Sequence, residues 1–195
     1  MGRKILLAMG SPRKNGNTAF LANLVAAGAR QAGAEVETID VGQLSNLPGG
    51  CSSCFGCQPN KFKCVLKDET AGLINRLIDF DVVILATPIY FFNMSAQLKR
   101  FMDRFMALTG NDEKGNVISP LKSIQFAVVA TSGGDAGDSG LETVKCCMRY
   151  LSEFTGMPEV KFLHHGMCGA DPAPLAKDAV LKGQAEDFGR YLAGC

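Results

Sequence analysis

The sequence predicts a doubly wound α/β domain: one five-stranded parallel sheet with helices on both faces, a three-layer sandwich. Two observations carry this. Strand-length apolar runs alternate with amphipathic helical stretches five times over, and each parallel crossover must return over the sheet. The loops after the first, third and fourth strands are polar or rich in Gly and Pro, as expected where such sheets bind ligands.

Lys4 to Met9 reads as a buried strand, and Thr18 to Ala32 as a helix with Phe20, Leu21, Leu24, Val25 and Gly28 on one face, capped by Asn17 or Thr18. Val36 to Val41 is the second strand, and Glu69 to Phe80 the second helix. Asp81 to Ala86 is continuously apolar, the mark of a strand covered on both faces, and Thr87-Pro88 ends it. Ser95 caps a third helix that turns Leu98, Phe101, Met102, Phe105 and Leu108 inward. Ser123 to Ala130 is the fourth strand. Leu141 to Thr155 is a helix stopped by Gly156-Met157-Pro158, Val160 to Leu163 the last strand, and Leu175 to Ala193 the last helix.

The chain has 195 residues, 47% hydrophobic and 20% charged, with formal net charge +1. That balance fits one globular domain over 1–195 and offers no field for nucleic acid. No apolar run reaches the roughly 20 residues of a membrane span, and the amino terminus lacks a signal core, so the cytoplasm is the expected address. Eight cysteines in a reducing compartment point to metal or redox chemistry. Four of them lie in an irregular insertion over 46–68. Cys146, Cys147, Cys168 and Cys195 are scattered.

The first loop, Gly10 to Thr18, ends on a helix whose N-terminus carries partial positive charge. Ser11, Asn17 and Thr18 supply hydroxyl and amide donors and Arg13 a bidentate cation, a set suited to a phosphate monoester. It is neither a Walker loop, since Asn17 follows Gly16, nor a Rossmann fingerprint, since only Gly10 and Gly16 are present.

Gly10-Ser-Pro-Arg13 followed by Gly16-Asn-Thr18, together with the run from Thr87 to Arg104, resembles the NADPH-dependent FMN reductase family in order and over nearly the whole chain. The resemblance implies a flavodoxin-like sheet of order 2-1-3-4-5. It also implies FMN, its phosphate held by Ser11, Arg13, Asn17 and Thr18 and its ring lined by Pro88, Ile89, Tyr90, Phe91 and Asn93, with Thr131, Ser132, Gly133 and Gly134 as a third wall that backbone can approach closely. NAD(P)H would be the electron donor of such an oxidoreductase, and a homodimer or homotetramer its assembly, with Phe91, Phe92, Phe101 and Phe105 as contact candidates or internal residues. No side chain is singled out as catalytic, because the flavin carries the chemistry.

Cys51-x2-Cys54-x2-Cys57-x6-Cys64 resembles the cysteine run of iron–sulfur flavoproteins, flavodoxin-fold relatives with a [4Fe–4S] cluster. Three alternatives stand for this loop: a cluster, a tetrathiolate zinc site, or no metal, since the Cys64 to Asp68 ending also resembles relatives without a cluster. Lys61, Lys63 and Lys67 form a basic rim where an acidic donor such as ferredoxin could dock. The rival functions are an NAD(P)H-dependent quinone or FMN reductase with a structural cysteine loop, and a non-enzymatic FMN-binding electron carrier. His164-His165 is read as structural, because neighbours on a strand face opposite ways.

Overall fold

The computed structural model describes residues 2–44 and 49–194; positions 46–48 of the expected insertion and Cys195 lie outside them. In chain order the elements are β1 (Lys4–Met9), α1 (Asn17–Gln31), β2 (Glu35–Ile39), α2 (Glu69–Asn75), β3 (Val82–Tyr90), β4 (Asn93–Met94) and α3 (Ala96–Asp103). There follow β5 (Gly110–Asn111), β6 (Val117–Ile118), β7 (Gln125–Thr131), α4 (Leu141–Thr155), β8 (Lys161–His165), α5 (Ala173–Lys177) and α6 (Ala179–Ala193).

The five long strands form a parallel sheet in the order β2-β1-β3-β7-β8, which is the expected 2-1-3-4-5. Side-chain alternation divides the core in two. Leu6, Ala8, Val83, Leu85, Phe126 and Val128 pack with α2, α3 and α4, whereas Ile5, Leu7, Val82, Ile84, Ala127 and Val129 pack with α1 and α6. Phe101 and Phe105 belong to the first core, edge to face at 5.4 Å, and so are internal rather than contact residues.

The third strand does not end at Thr87-Pro88 but runs to Tyr90. Pro88 pairs only with Thr131, while β1 stops with Met9 opposite Ala86. With no strand on that side, the missing N–H breaks no ladder bond. The last strand likewise runs two residues further, to His165, which puts His164 and His165 beside Ala130 and Thr131. The β5–β6 hairpin, organised by Asp112 accepting from the N–H groups of Lys114 and Asn116, was not foreseen.

Helices α1 and α6 cross where neither carries a side chain. A Cβ on Gly189 would lie 2.0 Å from the Val25 carbonyl oxygen, and one on Gly28 2.1 Å from that of Glu186. Backbone cannot yield as a side-chain tip can. Gly189→Ala is therefore expected to lower unfolding free energy by about 1–3 kcal/mol, read as a shifted urea midpoint at constant slope. An unchanged midpoint would show that the helices part freely.

Candidate functional site

At the end of β1 the Gly10 N–H donates to the Ala86 carbonyl at 2.7 Å. A Cβ at Gly10 would come within 2.6 Å of the Leu98 Cβ, so glycine lets the turn pass between β3 and α3. The Ser11 hydroxyl accepts from the Arg13 N–H at 3.1 Å and shapes the turn. Gly16, not Asn17 or Thr18, occupies the cap of α1, and it has no side chain to fold back. As a result the N–H groups of Asn17, Thr18 and Ala19 have no acceptor among the described residues, and no acidic residue sits in this first turn.

The two side chains released from capping face inward. Asn17 donates through Nδ2 to the Gly169 carbonyl at 2.7 Å, and its Oδ1 is buried without a partner among the described residues. The Thr18 hydroxyl bonds that of Thr131 at 2.7 Å, joining the first loop to the third. Arg13 is exposed, and its guanidinium donates to the Ala170 carbonyl.

These groups line a pocket of about 100 Å³. The structure brings Ser11, Arg13, Asn17, Thr18, Pro88, Ile89, Tyr90, Thr131, Ser132 and Gly133 to its walls, and adds Gly16, Cys168 and Gly169. Phe91, Asn93 and Gly134 lie outside that lining. Phe91 is 96% exposed, Asn93 is exposed with its Oδ1 on the Met94 N–H, and Gly134 turns its carbonyl to Met167 and Ser132.

Among the described residues, left-handed backbone at non-glycine positions occurs only at Ser53, Phe55, Phe62, Phe91, Phe92 and Met167. All six belong to the loops around this pocket or to the cysteine loop. Such positions persist where surrounding structure over-determines them, often at functional sites.

The third loop is tied to the end of β8. The Ser132 N–H donates to the His165 carbonyl at 3.1 Å, and the Cys168 N–H to the Ser132 carbonyl at 2.9 Å. The Ser132 hydroxyl lies 2.8 Å from the Gly134 carbonyl and 2.7 Å from His164 Nε2. A hydroxyl has one proton and a carbonyl only accepts, so the imidazole carries its proton on Nε2 and donates to Ser132. Burial holds His164 below its ordinary value, helped by His165 and Lys145 and opposed by Asp135. A histidine kept neutral by folding leaves the unfolded chain with more bound protons in acid. Its contribution to stability is thus complete above about pH 6.5 and erodes as pH falls toward the lowered folded value. His164→Gln should flatten this slope in melting temperature against pH; an identical slope would assign the acid loss elsewhere.

The cysteine loop forms a second concavity, of about 170 Å³, whose walls include Cys51, Cys54, Cys57, Cys64 and Arg104. Among the described residues, no three of His, Cys, Asp and Glu converge as ligands of one metal ion. Cys64 is fixed by Asn75, which accepts from its N–H at 2.7 Å and donates to its carbonyl at 3.1 Å. Arg104, 2% exposed, pairs with Asp68 at 3.1 Å and donates to the Cys64 sulfur at 2.9 Å. Asp68 also caps α2 through the Ala71 N–H. Burial pushes the Asp68 carboxyl up, but Arg104 and that N–H outweigh it and hold it below its usual range. Sequence reasoning passed over Arg104. The available signal was its place on the inward stripe, three residues after Phe101 and four before Leu108.

The family model for NADPH-dependent FMN reductase matches residues 3–161. An iron-sulfur flavoprotein of Methanocaldococcus jannaschii is 32% identical over 187 residues, 94% of this chain and 87% of its own. Another iron-sulfur flavoprotein, from Archaeoglobus fulgidus, is 34% identical over 99 residues, and the chain spans only 43% of its length. Among solved structures, an FMN-dependent NADH-azoreductase from Bacillus anthracis superposes with TM-score 0.72 over 98% of this chain and 99% of its own, at 14% identity. That likeness concerns the fold alone. No helix among the described residues is long and apolar enough to cross a membrane. The chain belongs to the NADPH-dependent FMN reductase family, and it is a relative of the iron–sulfur flavoproteins.

Proposed function

We propose that this chain holds FMN with the phosphate in the Ser11 to Thr18 turn and the ring against Pro88 to Asn93 and Thr131 to Gly134, and passes electrons from NAD(P)H or ferredoxin to an acceptor. The carrying observation is the set of three N–H groups, at Asn17, Thr18 and Ala19, that have no acceptor among the described residues. They sit at a helix N-terminus without a competing carboxylate, which suits a dianion. The unpartnered Asn17 Oδ1 offers an acceptor to a hydroxyl of the same ligand. A space of about 100 Å³ suits a phosphate and not a tricycle, so the ring belongs over the exposed surface at Tyr90 and its neighbours. FMN, when bound, supplies the hydride and one-electron chemistry. The protein's part is to bind, to orient and to shield. Exposed Phe91 and Phe92 suit self-association as a homodimer or homotetramer that covers the open side.

The cysteine loop suits a [4Fe–4S] cluster held by Cys51, Cys54, Cys57 and Cys64. All four cysteines line one cavity, the donor set that a cubane with one thiolate per iron takes. The unpartnered Nε of Arg104 is a buried donor at that wall, matched to sulfur acceptors. Exposed Lys61, Lys63 and Lys67 make the loop a docking site for an acidic electron carrier. The match to the NADPH-dependent FMN reductase family model supports a second reading, in which NAD(P)H reduces FMN directly and the loop is structural.

One anaerobic experiment separates these. The purified protein is assayed for flavin, iron and sulfide, then mixed with NADPH, NADH or reduced ferredoxin. Bound FMN with iron and sulfide, bleached by ferredoxin, supports the relay. FMN without iron, bleached by NADPH, supports the second reading. Failure to take up FMN overturns both.

A further inference from the structure

We infer that Arg104 is the positioning residue that sets the reduction potential of the cysteine-loop cluster, by presenting its guanidinium to the Cys64 sulfur while Asp68 holds the same guanidinium in place. This deepens the cluster reading and rests on it.

The geometry is unusual for an arginine. The side chain is 1% exposed, and its two terminal nitrogens serve three acceptors: the Cys64 sulfur at 2.9 Å and the Asp68 oxygens at 3.1 and 3.2 Å. Its Nε is buried and unpartnered among the described residues. A structural ion pair needs only the carboxylate. The bond to sulfur and the spare donor are surplus to that need, and Arg104 lines the same cavity as all four cysteines. The backbone around it is fixed on both sides. Asn75 clamps Cys64 by two hydrogen bonds, and Arg104 follows directly on α3, whose Ser95 cap bonds the Gly10 carbonyl at 2.6 Å. The cysteine loop and the phosphate turn thus share one rigid element.

Reduction adds one electron, and so one negative charge, to the sulfur-bound iron. A buried cation hydrogen-bonded to a ligand sulfur favours the more negative state, which raises the potential. Asp68, which shares a terminal nitrogen of the guanidinium with the Cys64 sulfur, opposes this with its negative charge. The two residues therefore act with opposite signs, which distinguishes tuning from simple structural support.

The test is anaerobic reconstitution of the full chain with ferrous iron and sulfide, followed by potentiometric titration with dithionite. Wild type, Arg104→Lys, Arg104→Gln and Asp68→Asn are compared, with the FMN midpoint of each sample as internal reference. For Arg104→Gln the reduced-to-oxidised ratio at a fixed poise is expected to fall at least tenfold, a shift of about −59 mV for one electron. Arg104→Lys should shift less, in the same direction, and Asp68→Asn in the opposite one. Unmoved midpoints, or shifts of one sign for Arg104→Lys and Asp68→Asn, overturn the inference. Those two variants decide it if Arg104→Gln does not fold. Wild type that takes up no iron defeats the cluster reading itself, and the iron count shows this before any potential is measured.

Discussion

Ser11→Asp is expected to weaken FMN binding at least a hundredfold while leaving the flavin-free protein as stable as before. Ser11 is buried at the pocket wall, and its hydroxyl accepts from the Arg13 N–H. An aspartate can accept the same bond, so the turn survives. Its charge, however, enters the pocket that Ser11 lines together with Asn17 and Thr18, whose N–H groups are unpartnered among the described residues. There it both satisfies those donors and repels a phosphate, and like charges held together cost several kcal/mol. A hundredfold loss needs only about 2.7 kcal/mol. Ser11→Ala removes one hydrogen bond to a charged group and should cost about tenfold. Quenching of flavin fluorescence gives both constants, and thermal melts of the flavin-free proteins give the control. Wild-type affinity in Ser11→Asp would place the phosphate elsewhere.

Arg104→Met should lower unfolding free energy by about 3–5 kcal/mol, the usual cost of breaking a buried pair by removing one partner. The loss comes chiefly from what remains: an uncompensated Asp68 carboxylate and a Cys64 sulfur without its donor. The double variant Arg104→Met/Asp68→Asn is therefore expected to recover part of the loss, a coupling that a double-mutant cycle in urea measures. The pair also has a pH signature. Asp68 is held below its ordinary value of 3.8, so its contribution is present above that pH and disappears as pH falls through the depressed folded value. The gap between wild type and Arg104→Met should narrow over that acid window. Additive losses, or a gap constant with pH, would mean that Arg104 stabilises through packing alone.

Period and burial made the sheet legible. Asp81 to Ala86 and Ser123 to Ala130 are continuously apolar because β3 and β7 are covered on both faces, and these runs fixed the centre of the fold. Helix α4 was legible to its last residue because Gly156 takes the left-handed conformation that ends it. The misses share a cause. Pro88 reads as a stop in any local rule, and only the shortness of β1 on one side makes it tolerable. Asn17 and Thr18 have the chemistry of caps, yet they face the pocket because Gly16 takes the cap position. One expected terminal helix is two, α5 and α6, divided where Asp178 caps the second. Arg104, His164 and the segment around Gly169 act through partners 36, 32 and 152 residues away, distances over which composition and period carry no signal. Ten of thirteen proposed cofactor residues line one pocket, because they sit at strand ends, which topology brings together. Phe91 and Asn93 fall away from it because the chain reverses into β4 there.

The central claim is that the turn after β1 is built for a phosphate group, and comparing FMN with riboflavin tests it most directly, since the two differ only by that group. Two or three charge-assisted hydrogen bonds at about 1.5–3 kcal/mol each predict that FMN binds roughly a thousandfold more tightly. Equal affinity for riboflavin would contradict the claim.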